Sequence, residues 1–412
     1  MSKPMLSFSA SVVAAVLVLG GARATSAQQV VKLGEGETLT ISGFISATLF
    51  NDRGLFGSFG QGQNAEFSAS PANQPGTNQS ITDGDFRNTR LRFDFAGQPV
   101  LGKWAPKATV EVDFFGAFNG APPFGDEQPQ MRGRVIFADL TNGRTTLRIG
   151  QDWSPSFAET PVSLTHIAFP LGYGASGKIG WRFPGIFLFQ DLSAAGAPVN
   201  VQLQLAVMKG SGPVTSGRDS TNNIGNGEAS GRPQLEGKLN FAKRSANLSW
   251  SAYVIGHVDW KDTTGTGVPG SNMTGTAFEA GGSLAPGRFT LHGNFYYGKA
   301  IGQLFAHINQ SAPAKGDIHG WGAWAQAGYD FTPHWSLFGF YGLDQPDAAK
   351  FAQDHPTVVG GLPRQQSHVG DACLRFRAGR YALGLEYYRS ATRYNTGPTS
   401  ADQYALSVLY TL

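Results

Sequence analysis

The sequence predicts an all-β fold, a sixteen-stranded antiparallel transmembrane β-barrel with an inward-folded third loop. Three observations predict it. Short stretches of alternating apolar and polar residues recur from Glu37 to Leu412, the connections between them are by turns long and very short, and one long connection is too apolar for a solvated surface. In a membrane barrel, lipid-facing and lumen-facing side chains alternate, with short turns at one end and long loops at the other. A soluble β-sandwich offers no reason to sort its connections by length onto opposite ends.

The first strand shows the period. Leu39, Ile41, Ile45, Ala47 and Leu49 fall on one face and Thr38, Thr40, Ser42, Ser46 and Thr48 on the other, with Gly43 and Phe44 blurring it. Further strands are expected near 86–97, 107–116, 131–140, 145–152, 177–190, 198–208, 233–242, 246–260, 274–285, 287–298, 318–331, 334–343, 367–377, 380–390 and 402–412. The short links are Gln98 to Pro106, Thr141 to Arg144, Asp191 to Ala197, Lys243 to Ser245, Ala285-Pro286, Thr332-Pro333 and Gly379, and every other link is expected to be long.

Strand 246–260 supplies a dimensional check. Leu248, Trp250, Ala252, Val254, Val258 and Trp260 share a face. At roughly 3.3 Å per residue and a tilt of about 40 to 45°, its two indoles stand about 24 Å apart along the membrane normal, one at each interface. Tyr329, Phe331 and Trp335 belong to the aromatic girdle at the short-turn end, and Tyr341 to the opposite one.

Composition fits a barrel. Hydrophobic residues make up 41% and mean hydropathy is −0.19, too polar for a bundle of membrane helices. Lys3, the apolar run Val12 to Leu19 and the small residues up to Ala27 read as a secretory signal over residues 1–27, leaving 28–412 as a single barrel domain. Loss of Lys3 and Arg23 takes the formal charge from +3 to +1, so global charge says nothing about partners. Cys373 is the only cysteine, excluding an intrachain disulfide, and reads as a small lumen-side filler.

Charge placement carries the functional expectation. With Leu91, Phe93 and Phe95 facing lipid, Arg90, Arg92 and Asp94 turn inward. The next strands add Lys107, Glu111 and Asp113, then Arg132 and Arg134 against outward Val135 and Phe137, then Arg148, and finally Lys178 and Arg182, the last between outward Trp181 and Phe183. An arginine on the lipid face near mid-membrane costs about 2 to 4 kcal/mol. In the 131–152 hairpin, a two-residue Asn142-Gly143 loop would pair Phe137 with Arg148 and mix an aromatic with a charge on one face. A three-residue Thr141-Asn142-Gly143 loop pairs Phe137 with Leu147 and sets Arg132 opposite Asp152, leaving Arg134 free. The competing reading is a salt-bridged wall in which Asp94, Glu111, Asp113 and Asp152 neutralise the arginines.

The connection from Trp153 to Ser176 holds Phe157, Val162, Leu164, Ile167, Phe169, Leu171 and Tyr173 with one acid, Glu159, and no Lys or Arg. Folding into the barrel would bury that surface and narrow the channel, with Trp153, Ser154, Phe157, Glu159, His166 and Tyr173 as constriction residues. Packing between subunits is the alternative.

Gly150-Gln151-Asp152-Trp153-Ser154 and, upstream, Val112-Asp113-Phe114-Phe115-Gly116 resemble segments of DcaP-like outer-membrane porins; the phosphate-selective porin O and P family is similar more distantly. The resemblance implies a homotrimer of sixteen-stranded barrels in the bacterial outer membrane, among lipid and lipopolysaccharide, taking up small anionic solutes such as dicarboxylates. Gln28 to Gly36 is shorter than the N-terminal coiled coil of many such porins, and the chain ends in Tyr410-Thr411-Leu412 where they end in an aromatic residue. A structural or adhesive barrel with little channel activity is the other expectation. His257 and Asp259 lie two apart on an inward face, but no nucleophile is marked beside them, so no enzyme is expected. Asp83-Gly84-Asp85 lacks full calcium-ligand spacing and reads as a turn. No cofactor, metal or nucleic-acid signature is present.

Overall fold

The computed structural model describes residues 29–57, 59–74, 80–116, 129–212, 225–245, 247–262, 273–310, 318–347 and 364–412. The expected signal segment lies outside them. Eighteen strand segments make one closed antiparallel sheet: β1 (Gln29–Gly34), β2 (Glu37–Arg53), β3 (Ser80–Asp85), β4 (Arg90–Ala96), β5 (Ala105–Asp113), β6 (Arg132–Asn142), β7 (Thr145–Trp153), β8 (Arg182–Asp191), β9 (Asn200–Met208), β10 (Gln234–Lys243), β11 (Leu248–Lys261), β12 (Met273–Pro286), β13 (Phe289–Lys299), β14 (His319–Asp330), β15 (Trp335–Pro346), β16 (Arg364–Ala378), β17 (Tyr381–Tyr394) and β18 (Gly397–Thr411). Successive strands pair around the ring, and β18 closes on β2.

The ring has sixteen positions because β3 and β4 share one. Thr48–Arg53 of β2 pairs with β3, and Thr38–Phe44 with β4. Residues 86–89 interrupt this second barrel strand, which begins earlier than its alternation suggests. β1 is a short hairpin partner of β2, not a separate barrel position. Asp83-Gly84-Asp85 belongs to β3 instead of a turn, and Asp85 is paired with Arg87.

Alternation decides which side chains meet lipid. Along β2, Ile45, Ala47 and Leu49 are exposed while Phe44, Ser46, Thr48 and Phe50 are buried. Tyr329, Phe331, Trp335 and Tyr341 are exposed on the outer surface. Short turns lie at one end, three of them Gly-Arg pairs with glycine at positive φ: Gly143-Arg144, Gly287-Arg288 and Gly379-Arg380. The link expected to be long between β17 and β18 is itself the two-residue turn 395–396, because both strands extend past the expected rim.

The β6–β7 register departs from both hairpins considered. Asn142 pairs with Thr145 across a two-residue Gly143-Arg144 turn, which sets Asp139 opposite Arg148 and Phe137 opposite Gly150. A bulge at Arg134, opposite Glu111 and Val112 of β5, then shifts the rung. Val135 and Phe137 therefore face inward, and Ile136 and Ala138 face out. Gly150 has φ +137°, and a Cβ there would lie 2.3 Å from the Ile136 carbonyl oxygen. Gly150→Val is expected to cost several kcal/mol through strain at this crossing. Loss of the heat-resistant gel band at a lower temperature than wild type would report it.

Candidate functional site in the barrel lumen

Residues 154–181, between β7 and β8, fold into the barrel as expected for the third loop. Their apolar side chains pack against three parts of the inner wall. Leu164 packs with Phe338, Cys373 and Ala382; Leu171 with Phe67, Trp324 and Phe340; Ile179 with Phe183, Phe187 and Met208. Cys373 is a buried inward filler, as read.

Polar wall residues then fix the loop's backbone. Glu386 on β17 accepts from Ser163 Oγ at 2.6 Å, Leu164 N at 2.5 Å and Thr165 N at 2.9 Å. Gln326 on β14 accepts from Val162 N at 2.7 Å and donates to Val162 O at 2.9 Å. Asn88, in the break between β3 and β4, donates to Thr165 O at 2.6 Å and accepts from Ala168 N at 3.1 Å. The strand interruption thus frees a residue to hold the loop. Glu236 on β10 accepts from Ser156 N at 2.8 Å, and Ser251 donates to Glu159 at 3.0 Å.

The described residues of two other long connections also pack into the lumen, which the sequence reading missed. Phe56 and Phe67 of 54–79, and Ile308 of 300–318, join the cluster around Leu171 and Trp324. The signal was available: apolar residues such as Ile301, Leu304, Phe305 and Ile308 crowd a connection that should be polar.

The wall formed by β4 to β8 carries seven inward or buried basic side chains, Arg90, Arg92, Lys107, Arg132, Arg134, Arg148 and Arg182, against five carboxylates, Asp94, Glu111, Asp113, Asp139 and Asp152. Most are paired. Arg132 binds Asp113 at 2.7 Å, not Asp152, because the bulge and the shorter turn move Asp152 away from it. Arg134 is not free: Nε donates to Glu111 at 2.8 Å and Nη1 to Asp113 at 2.7 Å. Arg148 donates to both oxygens of Asp139, at 2.7 and 2.8 Å, and also binds Asp152. Arg92 bridges Asp94 and Glu111, and Arg90 lies 3.6 Å from Glu111 with Nε and Nη2 unpartnered. The salt-bridged wall is the better description of these five.

Arg182 and Lys178 differ. Phe183 and Phe187 take the inward rung of β8 and Trp181 packs on Tyr173 and Phe305 of the inward connections, both against the outward expectation for Trp181 and Phe183, while Arg182 is buried between the rings of Trp153 and Trp181, 4.8 and 4.4 Å from their centroids. Its Nε and Nη1 have no protein partner. Lys178 sits in the loop before β8, not in the strand, with Nζ 3.8 Å from the Phe157 ring centroid. Trp153 closes β7 and stacks on Phe157 at 3.6 Å. Tyr173 and Phe169 complete the aromatic lining; Ser154 bonds Ser156, and Glu159 lies 3.7 Å from His292. His166 stacks against Tyr388 with both ring nitrogens unpartnered.

On the β10–β11 wall, His257 Nδ1 lies 2.9 Å from Glu236 and Nε2 3.6 Å from Asp259, while the Ser156 hydroxyl donates to Glu236 at 3.1 Å instead of reaching the imidazole. Asp259 also binds Lys261. These contacts orient side chains and hold the loop. They do not assemble a nucleophile and base.

No family model matches the sequence, and no curated protein matches it. Solved structures do match. The outer membrane channel DcaP of Acinetobacter baumannii superposes with a TM-score of 0.67 at 16% identity, over 93% of this chain and 99% of that one. OprB of Pseudomonas putida gives 0.54 at 9% identity over 90% and 94%, and the trimer form of OmpT, an outer membrane protein of Vibrio cholerae, gives 0.53 at 11% over 92% and 100%. At these identities the likeness is one of fold: the chain has the sixteen-stranded barrel of bacterial outer-membrane channels.

Proposed function

We propose that this chain is an outer-membrane porin, one subunit of a homotrimer, that passes small hydrophilic solutes and prefers anions of the dicarboxylate kind. The fold shared with outer-membrane channels supports the channel and its location. One observation carries the preference: basic side chains outnumber carboxylates on the β4–β8 wall, and Lys178 in the third loop and Arg182 directly after it lie outside any ion pair among the described residues. Field lines focus in a narrow channel with low-dielectric walls, so two unpaired cations can dominate a nearly neutral protein. Reversal potentials across a planar bilayer under a KCl gradient test it. Chloride should be favoured, less so in 1 M salt where the Debye length falls to about 3 Å. Cation selectivity would overturn the preference. A barrel that inserts without conducting would instead favour a structural or adhesive role, the reading that three inward-packed connections support.

The preference should also depend on pH. Burial lowers the Lys178 ammonium to about 7; Glu279 and Glu159 oppose that shift, and Lys238 adds to it. Lys178 is a cation below that value and neutral above it. Chloride selectivity is therefore expected to fall between pH 6 and pH 8, and Lys178→Met should remove most of that pH dependence. An unchanged profile in Lys178→Met would assign the titration elsewhere.

A further inference from the structure

Four consecutive short turns, joining β10 to β11, β12 to β13, β14 to β15 and β16 to β17, repeat one arrangement. A basic residue at the turn adjoins an outward aromatic on the first lipid-facing rung. Lys243, next to Arg244, pairs directly across the sheet with Trp250; Arg288 precedes Phe289, His334 precedes Trp335, and Arg380 precedes Tyr381. Phe289 packs on Tyr329 across β13 and β14, with centroids 4.6 Å apart, and Trp335 on Phe376 across β15 and β16, with centroids 5.0 Å apart, so aromatic contacts link three of the four turns. Lys243, Arg244, Arg288 and Arg380 are exposed, and none forms an ion pair among the described residues. The one carboxylate on this arc, Asp330, accepts from Ser336 at 2.5 Å.

We propose that this arc binds anionic phospholipid, the turn cations taking the phosphodiester and the aromatic rung taking the glycerol and upper acyl chains. The chemistry is specific in two ways. Aromatic side chains settle at the depth where headgroup meets hydrocarbon, which places the neighbouring cations level with lipid phosphates. Unpaired juxtamembrane cations favour a net negative headgroup over a zwitterionic one, whose own ammonium cancels its phosphate's charge. The arc spans the turns of eight of the sixteen barrel strands, so it would gather several such lipids on one side of the molecule. This inference rests on the membrane-spanning reading of the barrel but not on its selectivity or on conduction.

Native mass spectrometry of the full-length protein in mild detergent, titrated with phosphatidylglycerol or phosphatidylethanolamine, tests it. Phosphatidylglycerol should bind more tightly. Its affinity should fall ~5-fold for each turn cation removed in Arg244→Gln, Arg288→Gln and Arg380→Gln, the fold-change equivalent to ~1 kcal/mol per juxtamembrane cation. Arg393→Gln, at the opposite rim, should bind as wild type does. Equal affinity for the two lipids, no loss in the triple variant, or displacement of phosphatidylglycerol by an equal concentration of inorganic phosphate would overturn the proposal. Heat-modifiable mobility on gels keeps folding separate from binding. Bilayer conductance is read independently, so a porin that conducts without lipid preference defeats this inference alone.

Discussion

Glu386→Ala is expected to raise single-channel conductance and add open-channel noise while the barrel stays folded. Glu386 holds the third loop through three donors at 2.5 to 2.9 Å, two of them backbone amides of consecutive residues. A hydrogen bond contributes about 0.5–1.5 kcal/mol, and among the described residues Gln326, Asn88 and Glu236 make two such bonds each to the loop where Glu386 makes three. Removing the carboxylate leaves the Leu164 and Thr165 amides to find water, and the water they find lies in the lumen. The strand pairings of β17 with β16 and β18 do not involve the side chain, so the sheet should be unaffected. Glu386→Gln keeps an acceptor oxygen and should fall between. Adding Gln326→Ala, which releases Val162, should enlarge the effect. Unchanged conductance in the double variant would mean that the loop's apolar contacts alone hold it.

The architecture was legible because membrane barrels write their period into the chain. All sixteen barrel strands lie where alternation put them, within a few residues at most ends, and Tyr329, Phe331 and Trp335 lie exposed at the short-turn rim. The inward third loop was legible for a similar reason: seven large apolar residues in one connection that has no Lys or Arg cannot all be solvated. What failed was local geometry that alternation does not encode. A bulge at Arg134 reverses the rung for Val135 and Phe137, and nothing in the residue types there marks it. Choosing the β6–β7 turn by matching apolar faces overlooked Asp139, whose ion pair with Arg148 sets the register instead. The interruption at 86–89 was hidden because its purpose is tertiary: Asn88 leaves the sheet to bind a loop eighty residues away in sequence.

Arg134 and Arg182 should respond to substitution in opposite ways, and the contrast separates structural from selective arginines. Arg134 is buried and divides its guanidinium between Glu111, which also serves Arg90 and Arg92, and Asp113, which also serves Arg132. Breaking a buried ion pair from one side typically costs about 3–5 kcal/mol, because the partner charge is left behind. Arg134→Met should therefore lower the temperature or the urea concentration at which the barrel loses its heat-resistant form. Arg182 has no such partner. Its guanidinium lies between two indoles, and Arg182→Met keeps the apolar stem that packs there while removing the charge, so stability should change little. Chloride preference should drop instead, more so when combined with Lys178→Met. If Arg134→Met proved the better tolerated and the stronger in its effect on reversal potential, the paired wall would be the selectivity filter after all. The two unpaired cations would then be ordinary packing residues of the third loop.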